Sequence, residues 1–125
     1  MKICFSASGE NEKSMLNARF GRCPYFLVFD TDSKQWQAVN NQAAAEFRGA
    51  GISAAQKVAD LGCQIIVTGN MGPNAFNVMS TSNIKIYLGD LGKNIIDNLA
   101  MFEDNKLKEL LSPQGMGMSS RGRNR

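Results

Sequence analysis

The chain has 125 residues, of which 43% are hydrophobic and 20% charged. That is the length and composition of about one globular domain, which excludes wholesale disorder and collagen-like structure, and no apolar run approaches the ~18 residues that span a bilayer. Lys and Arg total 14 against 11 Asp and Glu, but Arg121, Arg123 and Arg125 supply the whole excess, so residues 1–120 are neutral and lack the basic face of a nucleic-acid binder.

The first residues, Met1 to Ser6, lack the long apolar stretch of a signal peptide, so a cytoplasmic location is expected. Lys2 to Ser8 alternates, with Ile3, Phe5 and Ala7 on one side, and reads as a strand. Gly9 to Arg19 is polar and predicts a surface loop. Tyr25 to Thr31 is apolar and aromatic and reads as a buried strand. Gln35 to Asn40 returns from the Asp32-Ser33 turn as a more exposed partner, so the two make a hairpin.

Ile52, Ala55, Val58 and Ala59 have helical spacing after the Gly49-Ala50-Gly51 break, with Gly62 as the stop. Gln64 to Thr68 is a short β-branched run, expected as a central strand. Pro73 suits the first turn of a helix reaching about Ser82. Ile84 to Leu88 predicts a strand. Ile95, Ile96, Leu99 and Phe102 form the apolar stripe of a helix, and Leu107 to Leu111 a short amphipathic end piece. Ser112 to Arg125, rich in Gly, Met and Arg, predicts a disordered tail after a single domain spanning 1–111. The order of elements implies an α/β fold: a mixed five-stranded sheet, flanked by helices, with antiparallel strands at one edge.

Histidine is absent, and this restricts function more than any other single fact. It removes Ser-His-Asp and Cys-His catalysis and imidazole metal sites. Cys4, Cys23 and Cys63 are odd in number and contain no Cys-x-x-Cys, which excludes a disulfide framework and argues against a zinc ribbon. Cys4 and Cys63 fall in or at the start of strands and read as core thiols. No carboxylate lies on the first strand, Asp30 and Asp32 fall at the hairpin turn, and Asp90 stands alone, so the paired carboxylates of a two-metal nuclease are not in view. The expectation is a protein that is not an enzyme.

Ligands of open α/β sheets bind beyond the carboxyl ends of parallel strands. Three loops are expected to meet there: Ala7-Ser8-Gly9, Gly69 to Asn74, and Gly89 to Gly92. Two of them feed helix N-termini, whose free N–H groups favour anions. Gly69-Asn70-Met71-Gly72-Pro73-Asn74 lacks the Gly-Lys-Ser/Thr of a Walker A loop, so a tight strand-to-helix turn is the plainer alternative. Phe20 to Phe26 places Arg22 beside Cys23, ahead of Pro24. A loop thiol near a cation could have a lowered pKa and ligate metal, while a packed loop with a half-buried Cys23 is again the plainer alternative. Met116 and Met118 could offer thioethers to a soft metal, or belong to an unstructured tail.

Together these segments resemble the dinitrogenase iron–molybdenum cofactor biosynthesis family, which includes NifX-type proteins, the C-terminal region of NifB-type proteins and small stand-alone members. The resemblance covers residues 1–111. It rests on Phe-Gly-Arg-x-Pro-Tyr-Phe at 20–26, Gly-x-Gly-Ile-x-Ala-Ala at 49–55, Thr-Gly-x-x-Gly-Pro-x-Ala at 68–75, Tyr-x-Gly at 87–89 and a closing helix with Phe102. It implies a ribonuclease H-like three-layer fold without nuclease activity. It also implies non-catalytic binding or carriage of an iron–sulfur or molybdenum-containing cluster, exchanged with a donor or acceptor protein, by a monomer or weak homodimer that uses neither nucleic acid nor membrane. On this reading Arg22, Cys23, Arg48, Gly49, Gly51, Gly69, Asn70, Gly72 and Asn74 line the cluster site, with Cys23 as the one thiolate metal ligand. Arg48 stands where some members have a histidine. The alternative is a metal-free anion sensor or protein-interaction scaffold.

Overall fold

The fold is that of a computed structural model, which describes residues 1–113. Six strands form one sheet: β1 (Lys2–Ala7), β2 (Tyr25–Asp30), β3 (Trp36–Asn40), β4 (Ile65–Thr68), β5 (Lys85–Leu88) and β6 (Lys108–Glu109). Their order across the sheet is β3-β2-β1-β4-β5-β6. β1, β4 and β5 are parallel, while β2 and β3 add antiparallel at one edge and β6 at the other. Three helices complete the domain: α1 (Ala50–Asp60), α2 (Pro73–Thr81) and α3 (Ile95–Glu103). A single 3-10 turn, Gln42–Ala45, precedes α1.

The central strands are buried on both faces, which is why they read as near-continuous apolar runs. Cys4, Phe26, Val28, Ile66 and Ile86 point to one side, where they pack with Ala54, Ala55 and Val58 of α1 and Ala75 and Met79 of α2. Ile3, Phe5, Leu27, Phe29, Ile65 and Val67 point to the other, against Ile95 and Leu99 of α3. The alternation of β1 thus sorts residues between two cores rather than between core and water. Cys4 and Cys63 are buried together under α1, as their places in the sequence imply.

Two expectations are corrected. The sheet has six strands, not five, because Leu107 to Leu111 does not form an amphipathic end piece of its own. Lys108 and Glu109 pair with Leu88 and Tyr87, and Leu110 N donates to Ile86 O at 2.7 Å. The free edge of β5 recruits a segment too short to carry any periodicity. The 9–19 segment is also more than a surface loop. Its Leu16 is buried, and it crosses the carboxyl ends of the central strands through bridges from Leu16 to Ala7 and from Arg19 to Asn70. The expected tail lies, from residue 114 onward, outside the described residues, and Met116 and Met118 with it.

Candidate functional site

A cavity of about 420 Å³ opens at the carboxyl end of the sheet, between the starts of α1 and α2. Three short segments wall it: 19–22, 49–52 and 70–75. Each is placed by local chemistry that the sequence specifies.

The 19–22 segment is held by buried hydroxyls. Ser6 and Thr68, both fully buried, share a hydrogen bond of 2.8 Å across β1 and β4, and Ser6 Oγ reaches Asn17 O at 2.8 Å. Asn17 N donates to Ser6 O at 2.8 Å, and Asn17 Oδ1 accepts from Arg19 N at 2.9 Å. Asn17 therefore pins the chain over the strand ends and projects Arg19 at the cavity. Among the described residues, no hydrogen bond or ion pair engages the exposed Arg19 side chain.

Gly21 then lets this segment touch α1. A Cβ at Gly21 would lie 2.9 Å from both the Cα and the N of Gly51, a backbone contact that cannot swing aside. Gly69, at the end of β4, allows a similar close approach to the chain at Ala18, whose Cα a Cβ would meet at 2.6 Å. Gly49 caps α1 from the left-handed region (φ 74°), which favours glycine.

Among the described residues, the two helices meet the cavity with no side chain capping their N-termini. Neither Gly49 before α1 nor Gly72 before α2 offers a capping side chain, whereas α3 is capped by Asn94 Oδ1, which accepts from Asp97 N. The first-turn N–H groups of Gly51, Ile52, Asn74 and Ala75 have no helical acceptor. They add two positive dipole ends to one space. Pro73 removes one N–H from α2 without costing a helical bond.

Of the nine residues expected at the site, Arg22, Gly49, Gly51, Asn70, Gly72 and Asn74 line the cavity. Cys23, Arg48 and Gly69 do not. Arg48 precedes the cavity-lining Gly49 but turns its guanidinium onto Phe47, 5.6 Å from the ring centroid, and Gly69 packs against Ala18 and Leu91.

Cys23 has the opposite character from a reactive loop thiolate. It is fully buried, donates from Sγ to Phe20 O at 3.3 Å, and is pushed up to about 12 by burial, which outweighs hydrogen bonds from the Ala7 backbone and Asn41. A thiol held protonated inside the core is not poised as a ligand.

Arg22 also differs in detail. Its Nη1 donates to Ala44 O at 3.0 Å and Glu46 O at 2.5 Å, so it braces the 3-10 turn ahead of α1 while its chain borders the cavity.

Only one of the three expected loops enters the site. Gly89 to Gly92 turns toward α3, where buried Asn98 accepts from Asp90 N (2.7 Å) and donates to Asp90 O (3.1 Å). Gly9 closes its own turn against Ser14. Asp30, at the hairpin, caps that turn by accepting from Asp32 N and Ser33 N, and these bonds hold its carboxyl below the usual range.

Arg19, Asn17 and Gly21 are the site residues that spacing did not reveal. Gly21 had a signal in its place between Phe20 and Arg22. Asn17 and Arg19 lay in a polar stretch with no periodicity. Among the described residues, no three His, Cys, Asp or Glu side chains gather as they would around a metal ion.

Residues 1–105 match the dinitrogenase iron-molybdenum cofactor family. The chain belongs to that family. It is 26% identical over 101 residues to an uncharacterised protein of Methanocaldococcus jannaschii, covering 78% of this chain and 85% of the relative. Its structure is similar to that of the orange protein from Desulfovibrio gigas in its apo form, with a TM-score of 0.86 and 30% identity over 90% of this chain and 95% of that one. It is also similar to a putative NifB protein from Thermotoga, with a TM-score of 0.79 and 25% identity over 91% and 98% of the two chains.

Proposed function

We propose that the cavity between α1 and α2 holds an anionic metallocluster, iron–sulfur or molybdenum-containing, by charge and hydrogen bonding rather than by coordination, and that the protein carries this cargo without transforming it. The observation behind this reading is the convergence on one open cavity of two helix N-termini and Arg19, none of which has a side-chain partner among the described residues. A sulfide- or oxide-rich anion accepts many weak hydrogen bonds, which suits backbone N–H groups and guanidinium. Coordination by the chain's own thiols is not called for, because Cys23 is sealed in the core. Membership of the iron–molybdenum cofactor family supports cluster handling in general, and the choice of this cavity rests on its donors. Strand order β3-β2-β1-β4-β5 with β2 reversed supports the ribonuclease H-like three-layer description of the scaffold. Exchange with a donor or acceptor protein in the cytoplasm belongs to the same proposal.

The test is to load the anaerobic protein with iron and sulfide, and separately with tetrathiomolybdate and copper(I), then desalt it. Stoichiometric metal with charge-transfer absorption is expected, and Arg19→Gln should reduce retention. A colourless, metal-free product under both conditions would refute the cluster reading. Stabilisation by phosphate alone would then favour the metal-free anion sensor, since the same N–H donors fit it.

A further inference from the structure

The sheet has two edges, and they are built differently. β6 ends one side with only two residues, Lys108 and Glu109, both charged. A short, charged edge discourages another strand from adding. β3 ends the other side with five residues, and from Gln35 to Ala45 the chain has no charged residue and no proline. Its backbone alternates in direction. Asp30 N donates to Gln35 O at 3.0 Å and Asn41 N to Pro24 O at 2.9 Å, so the odd-numbered residues of this stretch bond to β2. The N–H and C=O groups of Trp36, Ala38 and Asn40 therefore point away from the sheet, and among the described residues none of them has a hydrogen-bond partner. A groove of about 480 Å³ between Gln37, Val39, Ser53 and Lys57 keeps the α1 side of this strand clear.

A row of unmade backbone bonds fits an extended strand. The side chains identify which one. The Trp36 ring packs 4.7 Å from Phe29, but its indole N–H has no acceptor among the described residues, and the Asn40 carboxamide has no partner there either. Trp36, Ala38 and Asn40 share one face of β3. An antiparallel two-fold centred on Ala38 pairs every outward N–H with an outward C=O. It sets each Trp36 opposite the partner's Asn40, an indole donor beside an amide acceptor. On the axis, where identical side chains must meet, it places a small, uncharged alanine. We propose that β3 is a dimerisation strand, to which a second copy of this chain adds its own β3 in antiparallel, joining two sheets into one. The two cavities then open at opposite ends of the joined sheet, so the pairing is independent of anion binding.

Sedimentation equilibrium on the full chain, from about 10 µM to about 1 mM, covers the affinities of an interface this small. The unaltered chain should dimerise as concentration rises, and the fluorescence of Trp36, its single tryptophan, should move to shorter wavelength in step. Ala38 is exposed, so a charge there leaves the fold intact. Ala38→Lys and Ala38→Glu should each weaken self-association by at least about tenfold, because like charges meet on the axis. An equimolar mixture of the two variants should dimerise again. A chain that stays monomeric throughout would overturn the second copy as occupant of this edge. A dimer that both variants form as well as the unaltered chain would overturn β3 as the contact. Variants that remain monomeric when mixed would overturn the two-fold at Ala38.

Discussion

Arg19 and Arg22 stand three residues apart on the same wall, yet replacing each by Gln should have separable consequences. Arg22 makes two hydrogen bonds from a charged donor to backbone carbonyls of the 3-10 turn. Charge-assisted bonds contribute ~1.5–3 kcal/mol each when sheltered, and solvent exposure here reduces the pair to ~1–2 kcal/mol. Unfolding entropy of ~2.1 cal/mol/K per residue converts each kcal/mol into ~4 °C at this chain length. Arg22→Gln should therefore lower Tm by ~4–8 °C. Arg19 has no side-chain partner among the described residues, so Arg19→Gln should leave Tm within about 1 °C, the behaviour of a surface substitution. Its effect should appear in binding. A unit charge ~5 Å from an anion is worth ~3 kcal/mol at an effective dielectric of 20, and screening at an open mouth roughly halves that. Loss of about tenfold in anion affinity follows, with a weaker salt dependence. Thermal unfolding by circular dichroism and a tetrathiomolybdate titration at two ionic strengths measure both. If Arg22→Gln loses binding at unchanged Tm while Arg19→Gln binds normally, the bracing role of Arg22 is wrong and the two assignments exchange.

Three further predictions concern the scaffold. Gly21→Ala should cost ~1–3 kcal/mol and weaken anion binding, because its Cβ would press on the Gly51 backbone, whereas Gly72→Ala, with nothing within 4 Å, should cost no more than ~1 kcal/mol, the N-cap preference for Gly over Ala; a Gly21 variant as stable as the unaltered chain would disprove the close approach. Asn98→Ala removes a fully buried amide that satisfies both backbone groups of Asp90, and a loss of ~2–4 kcal/mol in urea unfolding is expected. Cys23 should resist alkylation in the native state at pH 8. Its folded pKa of about 12 lies above the unfolded value of 9.0, so its contribution is complete below pH 9 and declines as pH rises from 9 to 12. The slope should be ~1.4 kcal/mol per pH unit per such thiol, and Cys23→Ala should flatten part of it; a decline unchanged in the variant would mean that other groups control it.

Most of the fold was legible because its signals are local. The apolar run at 25–29, the β-branched Ile65-Ile66-Val67 and the Pro73 and Gly62 boundaries each follow from preferences acting within a few residues. β6 was not legible, since two residues carry no period and it forms only because β5 leaves an edge unpaired. The site divided in the same way. Gly72 and Asn74 could be placed near the strand ends because a glycine turn between a strand and a helix has a recognisable form, whereas Gly49 and Gly51 entered only through the family resemblance. Arg48 and Gly69 lie close to that form but beyond the cavity wall, a distinction of a few ångströms that spacing does not resolve.

Cysteine and arginine show the limit most clearly. Sequence by itself determined that no imidazole could take part, that the body is neutral, and that glycine-rich turns would lead into two helices at the carboxyl end of a parallel sheet. Those are properties of composition and of short-range order. Only the tertiary structure decided that Cys23 faces inward, that Arg22 spends its guanidinium on the 3-10 turn, and that Arg19, held by Asn17 and the buried Ser6–Thr68 pair, lines the cavity with no side-chain partner among the described residues. The reason is physical. Burial and hydrogen-bond partnership depend on segments far apart in the chain, and residues 6, 17 and 68 come together only when β1 and β4 pair.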